Sequence, residues 1–295
     1  MPQLAAERLG IWLGGLGIGA RTLLREPVLG AKRLVLPVSY WRAAEFAFVA
    51  RHLRVPSGAA VVDLGSPKDL ALLLARRCRC RVMALDILEE AVGLSRRYAA
   101  AQRRDGSAPG EVESRVADGR ALPFPDACFD AGFSVSVLEH IPEDGDSRAI
   151  RELARVLRPG APLAITVPFA QAMFDTQISR DAYEREFPGG EGAILDSCGL
   201  QDQGAEVFFE RHYDHRTLAA RLLEPSGLAV ERREIWGEPR LGGEQLLLGA
   251  GRARDFLSPF EPALSFAFLD RVADDSPRAK AAFVLLRKPG GTAAA

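Results

Sequence analysis

The chain has no surplus of either charge. Across 295 residues, 38 Lys and Arg offset 39 Asp and Glu, leaving a formal net charge of −1. That balance argues against nucleic acid as the main partner, because binding its backbone needs a cationic excess. Cysteine is scarce too. Cys78, Cys80, Cys128 and Cys198 show no paired Cys-x-x-Cys spacing, so free thiols in a cytoplasmic protein are expected and a zinc cluster is not. Long apolar runs are missing as well. Leu9 to Ala20 is short and broken by glycine, below the length that spans a bilayer, and no small-residue cleavage pattern follows it. No internal repeat is present, and the sole low-complexity run is the tail Gly290-Gly291-Thr292-Ala293-Ala294-Ala295. What is present is ordinary: 47% apolar and 26% charged residues, enough for one large domain or a domain with appendages.

Residues 1 to about 57 precede the first strand and form an arm. Gly14, Gly15, Gly17 and Gly19 lie in an apolar setting, followed by Arg21, Arg25, Lys32 and Arg33. Basic residues beside apolar ones suit a membrane surface, a partner or a second copy of the chain. The alternative is helices packed on the core or over a pocket, since the glycines weaken an amphipathic helix. Tyr40 to Arg54 reads as a helix ended by Pro56-Ser57-Gly58. From Ala59 strands and helices alternate. The strands are Ala59 to Leu64, Arg81 to Asp86, Val112 to Asp118, Ala127 to Val137 and Ala161 to Phe169. Helices fill the gaps at Leu70 to Arg77, Leu88 to Arg103 and Asp146 to Arg158, which implies a parallel sheet with right-handed crossovers. Beyond Phe169 the alternation loosens. Residues 170 to 212 are polar and carry Phe174, Tyr183, Phe187, Phe208 and Phe209. Asp214 can cap a helix toward Pro225, and Leu228 to Trp236 and Ala281 to Lys288 read as strands. They flank an insertion, about 237 to 278, too long for an ordinary connection.

Asp63, Asp86 and Asp118 each close an expected strand. On neighbouring parallel strands their carboxylates would share one sheet edge, where ligands bind such folds. An acid after the second strand suits a ribose diol, and Asp118 beside Gly119 could accept from an adenine amine. Asp63 would steady the turn or reach the ligand's amino end through water. The turn Gly65-Ser66-Pro67-Lys68-Asp69 lacks the three spaced glycines of a dinucleotide loop, which disfavours a nicotinamide-dependent oxidoreductase. An adenosine with a zwitterionic tail fits better, and Lys68 is either a solvated lysine or a partner for its carboxylate.

These stretches resemble the class I S-adenosylmethionine-dependent methyltransferases, small-molecule group. The resemblance rests on Val61-Val62-Asp63-Leu64-Gly65-Ser66, Met83-Ala84-Leu85-Asp86 and the long run Ala117-Asp118-Gly119-Arg120-Ala121-Leu122-Pro123-Phe124-Pro125-Asp126-Ala127-Cys128-Phe129-Asp130. It continues through Val137-Leu138-Glu139-His140-Ile141 and Arg151 to Gly160. The resemblance implies an α/β fold: a Rossmann-like, doubly wound, seven-stranded sheet, mostly parallel, with an antiparallel last strand. The domain would run from 58 to 295, the N-terminal helical arm and the late insertion being additions. It implies S-adenosylmethionine as cofactor and a small-molecule acceptor. Gly65 and Ser66 would line the methionine end, Asp86 the ribose, Ile87 the adenine face, Asp118 and Gly119 the adenine edge, and Ser134 the region under the sulfonium. The turn departs from the family, which carries more glycine there. A methyltransferase-like protein that binds without turning over is therefore the alternative.

An oxygen nucleophile would also need a general base. His140 follows the fourth strand and either serves as that base or pins its loop through backbone bonds. His212 and Tyr213, just before a helix, are candidates for the acceptor wall. His212 and His215 have a ligand-like spacing of three but no evident third partner, so no metal is expected. The apolar arm and scattered aromatics favour a small apolar or glycosylated acceptor.

Overall fold

Four short apolar runs and one alternating segment become five parallel strands in the computed structural model, which describes residues 2–103, 110–180, 206–239 and 258–290 with positions 182, 243 and 247. They are β1 (Ala60–Leu64), β2 (Arg81–Asp86), β3 (Glu111–Val116), β4 (Ala131–Val135) and β5 (Pro162–Pro168). A sixth strand, β8 (Ala229–Gly237), runs the same way; the last strand, β10 (Ala279–Arg287), lies antiparallel between β5 and β8, and the two-residue β9 (Asp270–Arg271) completes one sheet in the order β3-β2-β1-β4-β5-β10-β8-β9. The sheet therefore holds eight strands, one more than expected, the extra being the edge strand β9. A separate hairpin, β6 (Phe174–Ser179) with β7 (Glu206–His212), rises from the region beyond β5.

Strand faces alternate, so neighbouring residues feed different cores. Val61, Val82, Phe133 and Phe283 join one core, whereas Val62, Leu85, Ile165 and Val284 join the other. The first core is covered by α3 (Tyr40–His52), α4 (Lys68–Cys78) and α5 (Glu89–Gln102). The second is covered by α6 (Gly145–Val156) and by α7 (His215–Leu218), which runs on through a π turn at Ala219–Leu223. Strand order reverses between β1 and β4, and the crevice at that reversal is where such sheets accept ligands.

The glycines of the arm do not break its helix. The first helix, α1, spans Pro2–Leu23 and packs on α2 (Pro27–Val35). A Cβ on Gly15 would lie 2.5 Å from the Pro37 carbonyl oxygen, so glycine at that position is what lets the helix approach the following turn. Arg8 anchors the same helix from inside: its guanidinium donates to the carbonyls of Ser265 and Leu269, both at 3.0 Å, and lies over Trp236. Those carbonyls belong to the end of α8 (Glu261–Phe268) and the residue after it. Leu13, Leu24 and Val28 face outward. Among the described residues no helix is long and apolar enough to cross a membrane. Cys78, Cys80 and Cys128 are free thiols. Cys198, Tyr183, Phe187, most of 240–257 and the tail from Gly291 lie outside the described residues.

Candidate active site

Gly65 leaves β1 with φ +67, a left-handed conformation that favours glycine, and its N–H donates to the Leu85 carbonyl. A Cβ there would meet Val137 Cγ1 at 2.7 Å. The bare backbone thus forms the floor of a cleft of about 790 Å³, mouth included, at the carboxyl ends of β1, β2 and β4. Of the residues expected in a cofactor site, Gly65, Asp86, Ile87, Asp118 and Gly119 line this cleft. Ser136, Val137, His140 and Ile141 close its far side.

The other three expected residues turn inward. Asp63 is buried and accepts from the Ser66 backbone N–H at 3.2 Å, so it steadies the turn rather than sharing the rim with Asp86 and Asp118. Burial pushes its carboxyl up to about 7, against the opposing pull of Lys68 and Ser66. Ser66 Oγ accepts from the Val135 N–H, and Ser134 Oγ donates to the Leu64 carbonyl. Both hydroxyls lace β1 to β4 and are sealed from solvent. The serine at the cleft is Ser136, two residues on, because β4 ends at Val135 rather than Val137. Ser136 is held at φ +51, donates its hydroxyl to Glu45 Oε1 and its N–H to the Thr166 carbonyl.

Each rim carboxylate already has a cation beside it. Asp86 Oδ2 is 2.5 Å from Lys68 Nζ, and its other oxygen accepts from the Leu88 N–H. Lys68 therefore pairs with the expected ribose ligand instead of waiting for a distant carboxylate. Asp118 takes the guanidinium and backbone N–H of Arg120. Burial lifts its carboxyl, but those hydrogen bonds outweigh the effect and hold it below the usual carboxylate range. Asp69 faces away, in a buried ion pair of 2.7 Å with Arg33 of α2. Its charge at the start of α4 is thus neutralised outside the cleft. Glycine backbone on the floor and acids on the rim give the cleft the donor and acceptor set of a nucleoside site.

A second cavity adjoins the first, sharing Ser136 and His140 with it. Its wall is mixed: Tyr40 and Trp41 from α3 and Val167 stand beside Arg42, Glu45, Glu139, Glu210, His212 and Lys280. His140 is pinned, its Nδ1 lying 2.8 Å from the Phe209 carbonyl, which leaves Nε2 facing Glu139 at 4.0 Å. Glu139 is buried and has its carboxyl driven well above the usual range by desolvation. His212 also lines this cavity, stacked on Phe174 and bonded to Glu210 at 2.9 Å.

Tyr213 is the expectation that fails. Its ring is fully buried, and its hydroxyl donates to Asp146 Oδ2 at 2.8 Å, beside Arg211 and Arg221 on the same carboxylate. Strand alternation explains the reversal: His212 and Tyr213 point to opposite sides, so only one of them can face the cavity. His215 is separate from His212, packing on Phe169 and the Asp274 carbonyl. Glu139, Glu210, Ser136 and Arg120 also line the two cavities, although the sequence gives none of them a site role. Three adjoin recognised motifs, but nothing local announces Glu210.

A family model described as a methyltransferase domain matches residues 62–165, covering β1 through β5. The 27-O-demethylrifamycin SV methyltransferase of Amycolatopsis mediterranei is 28% identical over 201 residues, 63% of this chain and 69% of that protein. The O-methyltransferase resE of Aspergillus sclerotiorum is 43% identical over 67 residues, 22% of this chain and 25% of that one. A solved SAM-dependent methyltransferase from Methanosarcina mazei superposes with TM-score 0.51 at 17% identity, covering 82% of this chain and 97% of its own. At that identity the superposition speaks for the fold alone.

Proposed function

Because the chain belongs to the class I S-adenosylmethionine-dependent methyltransferases, we propose that it moves the methyl group to a hydroxyl oxygen of a small, hydroxylated or glycosylated acceptor. The observation that carries this reading is the pair of adjoining cavities with Ser136 and His140 in common. A cofactor in the first would present its methyl toward the second. The polar groups in the wall of the second favour a substituted ring over a bare hydrocarbon, with Tyr40 and Trp41 available for the ring faces. The printed names of the two relatives above place their chemistry on oxygen, which agrees with that choice.

In this proposal Asp86 holds the ribose hydroxyls, Ile87 packs on the adenine, Asp118 and Gly119 meet its edge, and Gly65 gives room at the methionine end. Asp63, Ser66 and Ser134 act one layer behind, fixing the turn and the spacing of β1 to β4. S-adenosylmethionine brings a sulfonium carbon that is already electrophilic. The chain's task is then alignment, holding nucleophile and methyl roughly 3 to 3.5 Å apart. A proton leaving the acceptor hydroxyl has His140 Nε2 and the Glu210 carboxylate at hand. The test is transfer of labelled methyl from S-adenosylmethionine to a panel of phenols and glycosides. Transfer that falls at least tenfold in Glu210→Gln supports the reading. Cofactor binding without transfer to any of them supports a binding protein instead.

A further inference from the structure

We propose that Glu139, His140 and Glu210 form a site for one divalent first-row metal ion in the wall of the second cavity. A ligand atom from each of the three lies within 4.8 Å of the others. Glu139 and His140 come from the turn after β4 (Leu138–His140), while Glu210 arrives on β7, from beyond the fifth strand. Ligands of one ion sit about 2.0–2.2 Å from it, so roughly 3 to 3.5 Å apart, and side-chain rotations of about 1 Å would close the set.

Two independent features point to a cation. The first is the His140 tautomer. With Nδ1 donating to the Phe209 carbonyl, Nε2 is the ring nitrogen directed toward Glu139, 4.0 Å from its Oε1. Metal-binding histidines are oriented by that kind of hydrogen bond from the other ring nitrogen. The second is Glu139 itself, 1% exposed, whose Oε2 has no hydrogen-bond partner among the described residues. Burying an unsatisfied carboxylate oxygen is expensive unless something pairs with it. Nearby Glu45 has no such vacancy: it accepts from the hydroxyls of Ser136 and Thr166 and from Arg42. Glu210 is steadied by His212, an outer-shell partner for a ligating carboxylate.

One imidazole with two carboxylates suits Zn²⁺ or Mn²⁺ better than the all-oxygen preference of Mg²⁺ or Ca²⁺. Three protein ligands leave positions for water or an acceptor oxygen, which would place a chelating hydroxyl beside the cofactor cleft. That last point rests on the methyl-transfer reading; metal binding does not.

The test uses the full chain without an affinity tag, stripped with chelator, and contains neither cofactor nor acceptor. Calorimetric titration with ZnCl₂ and MnCl₂ is expected to give one ion per chain, at least tenfold tighter than MgCl₂. Glu139→Gln should weaken binding tenfold or more, and Glu210→Gln, at a less buried position, should do the same. The metal-free Glu139→Gln protein should melt no lower than wild type, which separates lost ligation from lost folding. No saturable binding to wild type would overturn the proposal, as would wild-type affinity in either variant; a merely protonated Glu139 would give the first result. Because these outcomes are read without methyl transfer, they stand or fall apart from the catalytic reading.

Discussion

Lys68 Nζ lies 2.5 Å from Asp86 Oδ2, with both side chains mostly shielded from solvent. The first residue of α4 thereby occupies the carboxylate that closes β2. A ribose hydroxyl on Asp86 must share that oxygen or displace the ammonium. Lys68→Met is therefore expected to tighten S-adenosylmethionine binding about three- to tenfold, and Asp86→Asn to weaken it at least tenfold, since charge-assisted hydrogen bonds are worth about 1.5–3 kcal/mol. Calorimetry on the two variants checks both signs. Weaker binding in Lys68→Met would mean that the lysine contacts the cofactor directly.

Gly65 lines the cleft at a point with no room for a side chain. Alanine there takes on left-handed strain of about 1–2 kcal/mol and a contact of 2.7 Å with Val137 Cγ1. Gly65→Ala should lower cofactor affinity at least tenfold while costing about 1–2 kcal/mol of stability in denaturant titration. Unchanged affinity would remove the floor from the site.

Tyr213 and Asp146 form a structural pair. Tyr213→Phe is expected to lower stability by about 1–2 kcal/mol, a buried hydrogen bond to a charged group. Asp146→Asn should lower it by about 3–5 kcal/mol, because Arg211 and Arg221 lose a shared, fully buried anion. In steady-state kinetics Tyr213→Phe should keep its kcat and KM, and a selective drop in kcat would return the phenol to the acceptor wall.

Asp63 gives a pH signature. Its folded carboxyl titrates near 7 because burial outweighs Lys68 and Ser66, whereas an unfolded aspartate titrates at about 3.9. Between those values the folded chain keeps a proton that the unfolded chain has lost. This group therefore subtracts stability as pH rises through that window and adds no further change above it. Asp63→Asn, which can still accept from the Ser66 N–H, should match wild type near pH 4 and melt several degrees higher at pH 8. A difference independent of pH would contradict the shift.

The parallel part of the fold is legible because β1, β2 and β5 are short Val-, Leu- and Ala-rich runs and β3 alternates, each separated from the next by a turn or a helix-forming stretch. Arg81–Asp86 was bounded to the residue, and Tyr40–His52 differed by two. The edge strand β9 was not legible, since two residues carry no periodicity. The arm's glycines weigh against an amphipathic surface helix and for helices packed on the core, and in the fold Gly15 and Gly19 are where α1 meets its neighbours closely. At the site, residues adjoining recognised motifs were found, and those that depend on rotation about a strand were misjudged. Ser134 and Ser136 differ only in where β4 stops, and His212 and Tyr213 only in which side of the chain faces the cavity. Glu210 was invisible because its partners are far away in sequence and meet it only through the hairpin.

The most direct test is the structure of the chain with S-adenosylhomocysteine bound. The account predicts both ribose hydroxyls within about 2.7–3.2 Å of Asp86, the adenine between Ile87 and Gly119, and the sulfur turned toward Ser136 and His140. A nucleoside seated elsewhere, with Lys68 still on Asp86 and the cleft empty, would contradict it.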